Sequence, residues 1–191
     1  LGLHATIQVI PGSGNSIVQI LAGDPNKIEE LGIERVETVH QHEVGQQAQL
    51  VIVGVDGDES QQTWENIARA VQAGLSAVAE GGIIAICCEL AKVPPSGSAL
   101  RQLTDEAELS AASHAIRGED SVDAVAAACL LAARDQANLF LLSQLEEELV
   151  SELGFAHIEQ MDEVARLGNR AESCILISSA QFAQTQIGGA S

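Results

Sequence analysis

The sequence predicts an α/β protein, a three-layer sandwich with a largely parallel sheet, preceded by a short β-hairpin. Three observations carry this expectation. Residues 50–90, LVIVGVDGDESQQTWENIARAVQAGLSAVAEGGIIAICCEL, read as strand, polar loop, amphipathic helix and second strand. Apolar runs then alternate with helical periods towards the carboxyl end, the rhythm of buried strands joined by crossover helices. Near the amino end, the breakers PGSGN at residues 11–15 separate two short apolar-rich runs, as in a hairpin.

In chain order, residues 6–10 and 16–21 form the hairpin. Ala22-Gly23-Asp24-Pro25 then opens a helix. Asp24 can cap free amides, Pro25 suits the first turn, and Gly32 is expected to close the helix. Residues 35–44 alternate apolar and polar side chains like a half-exposed strand. The β-branched run at 50–55 is a strand covered on both faces. After the loop, Trp64, Ile67, Ala68, Val71, Leu75 and Val78 set a helical period. Glu80-Gly81-Gly82 is expected to stop that helix before a strand at 83–88.

Residues 93–98, VPPSGS, form a loop, and 100–117 are a polar, alanine-containing region. A helix over 121–134 is expected to be capped near Glu119 or Asp120, with Val122, Val125, Ala126, Cys129 and Leu130 on its apolar side. Then follow a strand at 138–143, a helix at 146–153 ended by Gly154, a short strand at 156–159, a helix at 162–167 and a last strand at 174–178. Val51, Ile84, Leu141 and Ile175 therefore belong to neighbouring buried strands, with helices on both faces. The chain divides into residues 1–45 (hairpin, short helix and strand, packed on the main domain or at an interdomain seam), residues 46–180 (the α/β domain) and residues 181–191 (a flexible tail of low apolar content).

Composition bounds the function. The formal charge of −18, from 27 acidic against nine basic side chains, argues against a nucleic-acid surface and against anionic membranes. Aromatics make up 2% of the chain, too few for a base-stacking platform. No apolar run approaches the roughly 20 residues that span a bilayer. Cys87, Cys88, Cys129 and Cys174 form no C-x-x-C pair and fall in predicted strands or a buried helix, the usage of a cytoplasmic protein with reduced thiols. Cys87 and Cys88 are adjacent, so a strand points them to opposite faces. The chain begins Leu-Gly-Leu without an initiator methionine and lacks a charged-then-apolar signal segment, so a fragment of a longer polypeptide is one expectation.

Ligands of open α/β sheets collect outside the carboxyl ends of strands, which directs attention to residues 56–69. No glycine-rich dinucleotide or phosphate loop follows any strand, and no serine sits in a G-x-S-x-G elbow. Asp56, Asp58 and Glu59 are the residue types that hold Mg²⁺ through carboxylate oxygens; capping of the following helix is the preferred reading. His40 and His42, spaced i,i+2 on a strand, would share a face as two metal ligands, although a solvated face is the preferred reading. His4, His114 and His157 are isolated. Asn66 and Arg69 lie three apart on the first turns of the helix, so an amide and a guanidinium can converge on a substrate carboxylate or a phosphate. Trp64 stands beside them, either exposed towards a partner or packed in the core, and Arg69 alternatively pairs with Glu65 or Asp58.

The runs IQVIPGSGNSIVQILAGDP, residues 50–90 as quoted above, and ANLFLLSQLEEELVSELGFAHIEQMDEVARLGNRAESCILIS resemble, in that order, the carboxy-terminal half of the nickel-dependent lactate racemase family. The resemblance covers nearly the whole chain. It implies an isomerase of two domains whose interdomain cleft holds a 2-hydroxy acid and a nickel pincer nucleotide. It further implies that the catalytic residues come from an amino-terminal domain, so that this chain closes the site, holds no metal or catalytic residue and is inactive alone. The family's Gln-x-x-Lys pair maps onto Asn66 and Arg69, both departures from the pattern. The loop ahead of it is Val55-Asp56-Gly57-Asp58, which adds negative charge where an anionic substrate would arrive. Asn66, Arg69, Asp56, Asp58 and Trp64 are thus the candidate substrate- or cofactor-binding residues. The alternatives are a non-catalytic module binding a small ligand or nucleotide in the same crevice, and a protein-interaction domain that docks a partner through the Trp64 helix.

Overall fold

The computed structural model describes residues 3–104 and 123–188. Strands β1 (Thr6–Pro11) and β2 (Ile17–Gly23) pair antiparallel as the expected hairpin. Helix α1 (Pro25–His40) follows, with Asp24 accepting from the Asn26 and Lys27 amides. Strand β3 (Gln41–Val44) leads to β4 (Ala48–Gly54), α2 (Trp64–Ala77) and β5 (Val78–Cys87). A 3-10 turn spans Ala99–Thr104. Helix α3 (Ala124–Arg134), β6 (Asn138–Leu142), α4 (Glu147–Glu152), β7 (Ala156–Ile158), α5 (Met161–Arg170), β8 (Cys174–Ile177) and β9 (Gln184–Ile187) complete the order.

The main sheet has five parallel strands in the order β7-β6-β5-β4-β8. Side chains alternate between its faces with the period of two that a pleated strand imposes. Val51, Val53, Ile84, Ile86, Leu139 and Leu141 share one core with Ile67 and Val71 of α2, Leu130 of α3 and Val150 of α4. Leu50, Ala85 and Ile158 face the other way, against Val164 and Leu167 of α5. Helices therefore cover both faces, as expected. Full burial of Ile67 or Val71 contributes about 1.5–3 kcal/mol per side chain relative to exposure. Val51 sits opposite Ile84 on β5 and Ile175 on β8; Ile175 is only half-buried because β8 is an edge.

Five local expectations are corrected. Gly32 does not close α1, which runs on to His40; an added Cβ there would lie against Gln8 of the hairpin, so this glycine lets β1 approach the helix. Residues 35–40 are accordingly helical, and only Gln41–Val44 is strand. Helix α2 ends at Ala77, before the glycine pair. Gly81 and Gly82 lie within β5, where Ala48 pairs with Val78 but Leu50 with Ile83, so the extra residues form a bulge. Gly81 has φ +69°, and a Cβ at Gly82 would stand 2.8 Å from the Gln49 carbonyl oxygen. In the stretch expected to be a loose tail, Gln184–Ile187 is strand β9, parallel to β3. The expected caps at Glu119 and Asp120, and also Val122 and His114, lie outside the described residues. Asp123 stands at the cap position of α3, and Val125, expected on its apolar side, is exposed.

Candidate functional site

The loop from β4 to α2 leaves the carboxyl end of a central strand, where parallel sheets gather ligands. Its first carboxylate is committed to structure. Asp56 Oδ2 accepts from the Gly14 amide at 3.0 Å and from Ser179 Oγ at 2.8 Å, and Oδ1 accepts from Gln181 Nε2 at 2.9 Å. Asp58 is exposed and folds back on itself. Its Oδ1 accepts from Ser60 N at 2.9 Å and Ser60 Oγ at 2.6 Å, and its Oδ2 from Asn15 Nδ2. The Ser60 hydroxyl, then the Ser60 amide, then the Asn15 amide hold the Asp58 carboxyl below its ordinary value. Both aspartates thus fasten the hairpin tip to the strand end.

Gln62, which nothing in the local sequence marks, bridges two strand ends: its Nε2 donates to the Val55 carbonyl at 3.3 Å and its Oε1 accepts from the Glu89 amide at 2.9 Å. Thr63 caps α2 by accepting from the Asn66 amide at 3.2 Å. Trp64 is buried, donates Nε1 to the Lys92 carbonyl at 3.1 Å and packs its ring 6.4 Å from that of Phe155. Of the two placements open for Trp64, packed in the core or exposed towards a partner, this burial gives the first.

Asn66 and Arg69 do share a face. Asn66 is buried, with Nδ2 donating to the Gln61 carbonyl at 2.8 Å and to Gln61 Oε1 at 3.1 Å, and its Oδ1 lies 3.5 Å from Arg69 Nη1. The amide is therefore held by the loop and steadies the guanidinium from one side. Arg69 is exposed and makes no ion pair among the described residues, neither with Glu65 nor with Asp58. It lines a groove of about 670 Å³ with Glu65, Gln72, Gln181 and Thr185, between α2, α3 and the segment entering β9. Gln181 Oε1, buried there, has no hydrogen-bond partner among the described residues. A separate crevice of about 720 Å³ lies at the ends of β4, β5 and β6, lined by Glu59, Ser60, Gln62, Glu89, Lys92 and Gln144. The site residues read from the sequence are thus divided: Asp56 and Asp58 in a structural clasp, Trp64 in the core, and Asn66 with Arg69 on the groove.

The histidine pair is not a pair. His40 ends α1 and is buried 5.9 Å from the Phe182 ring, whereas His42 is exposed on β3. Among the described residues no group of three or more His, Cys, Asp or Glu side chains is placed to hold a metal ion. The cysteines are all free, and Cys87 and Cys88 pack into opposite cores. Burial pushes the Cys88 thiol up to about 11 and raises Cys87 and Cys174 as well, so these three stay protonated near neutrality and are poor nucleophiles. No described helix is long and apolar enough to cross a membrane.

No family model and no curated protein matches the sequence. Solved structures do match in fold. The lactate racemase apoprotein from Thermoanaerobacterium thermosaccharolyticum superposes with a TM-score of 0.81 at 18% identity, covering 96% of this chain and 46% of that one. A protein from Thermotoga maritima matches with a TM-score of 0.67 at 10% identity, over 96% of this chain and 49% of its own. The chain spans about half the length of either structure. Its fold is that of one part of a lactate racemase apoprotein, which is the resemblance expected from the order of its sequence runs.

Proposed function

We propose that this chain is the carboxy-terminal domain of a lactate-racemase-like cytoplasmic protein, closing an interdomain site for a 2-hydroxy acid and a nickel pincer nucleotide. The observation that carries the reading is Arg69: a guanidinium without an ionic partner among the described residues, steadied by Asn66 and set on a groove in a fold shared with part of a lactate racemase. A planar guanidinium offers two parallel donors to a carboxylate, the group every 2-hydroxy acid carries. In this reading no catalytic step is assigned to this chain, as the resemblance implies. Metal, covalent attachment and proton transfer are left to an amino-terminal domain, and the role here is to bind and orient the anionic end of the substrate.

The test is chiral chromatography of lactate incubated with the nickel-loaded complete gene product and, in parallel, with the 191-residue chain. Interconversion of the enantiomers by the complete product alone supports the reading. Absence of interconversion by both, with a small ligand retained at the crevice beside Gln62 and Lys92, favours instead a non-catalytic binding module, for which that crevice is the supporting observation.

A further inference from the structure

The β1–β2 hairpin carries a row of apolar side chains that nothing among the described residues covers. Ile7 and Val9 face Ala22 and Ile20 across the ladder, and Val18 continues the row. Ile7 is 72%, Val9 51% and Ile20 59% exposed. The opposite face is occupied: Ile10 is buried, Ile28 of α1 is buried, and Gln8 lies over Gly32. The hairpin does not hang free. Its tip is held by Gly14 to Asp56 and by Asn15 to Asp58, so the apolar face has a fixed orientation relative to the α/β sheet.

We propose that this face is the docking surface for a further domain of the same polypeptide, a proposal that rests on the two-domain reading above. Three observations choose that occupant. The solved structures that match the chain over 96% of its length are about twice as long, so the shared fold is accompanied there by a comparable length of chain outside the match. Both β1–β2 and β3–β9 are two-stranded sheets, which are marginal by themselves and gain stability when a third strand or a packed face completes them. Strand β2, IVQILAG, carries no charge and no proline, the devices that guard an edge meant to face water. A second copy of the chain is disfavoured as the occupant because each would bring a formal charge of −18.

Hydroxyl-radical footprinting of the complete gene product and of the 191-residue chain tests the proposal, with exposed Met161 on α5 as internal reference. The expected result is oxidation of Ile7, Val9 and Ile20 slowed by roughly fivefold or more in the complete product, as for side chains in a dry interface core, with Met161 unchanged. Unchanged oxidation in a longer gene product overturns the proposal, as does a gene product with no further domain. Protection that appears in the 191-residue chain alone and grows with its concentration assigns the face to a second copy and overturns it too. The functional reading fails separately: a protected hairpin in a product that racemises no 2-hydroxy acid keeps the docking surface, and racemisation with an exposed hairpin removes it.

Discussion

Gln181 donates Nε2 to both the backbone carbonyl oxygen and Oδ1 of Asp56, at 3.0 and 2.9 Å, closing the strand-end loop onto the segment that follows β8. The other carboxylate oxygen takes the Gly14 amide and the Ser179 hydroxyl. The Asp56 side chain thus joins its own loop to stretches of chain 42 and 125 residues away.

Asp56→Ala is therefore expected to cost about 2–4 kcal/mol of unfolding free energy, because charge-assisted acceptors are lost and half-buried donors are left without partners. Denaturant unfolding measures it. A loss within about 0.5 kcal/mol, the scale of an ordinary surface substitution, would show that the clasp is not a structural joint.

Asp58 makes a different prediction because it is exposed. Its carboxyl is depressed in the folded chain, so its contribution is complete above the ordinary value of 3.8 and is lost as pH falls through the lower folded value. The Asp58 carboxyl carbon and the Ser60 amide should titrate together in NMR spectra with a midpoint below 3.8. A midpoint at or above it would contradict the contacts with Ser60 and Asn15.

Trp64→Ala should destabilise by about 3–5 kcal/mol through the cavity it leaves, and Trp64→Phe by about 1–2 kcal/mol through the unpartnered Lys92 carbonyl. Thermal or denaturant unfolding checks both. Loss of ligand binding at unchanged stability would return Trp64 to the binding site.

The sheet is legible because its side chains obey simple periods: the apolar runs at 50–54 and 83–87 and the helical spacing from Trp64 to Leu75 sit where their patterns put them. Glycine is less legible. Gly81 and Gly82 have the chemistry of a helix cap, but the same freedom makes a strand bulge, and only pairing with β4 decides between them. Gly32 looked like a stop, and its actual use depends on Gln8, which is 24 positions away in the chain. The aspartates and Trp64 were recognised as noteworthy, yet their roles depend on Gly14, Ser179, Gln181 and Phe155, distant partners that no local pattern announces. Gln62 and Gln181 carry no local signal for the same reason. The pairing of Asn66 with Arg69 was visible because both lie on one helix, where a spacing of three fixes a shared face.

The most direct test of the functional account is calorimetric titration of the complete gene product with L-lactate, comparing the parent with Arg69→Ala and Arg69→Lys. Arg69 is exposed and without an ion pair among the described residues, so its removal should leave stability within about 0.5 kcal/mol. A lost charge-assisted contact predicts affinity weakened by roughly tenfold to a hundredfold in Arg69→Ala, and partly retained in Arg69→Lys, which keeps the charge. Equal affinity in all three proteins, or no binding by any, would contradict the assignment of Arg69 to the anionic end of the substrate.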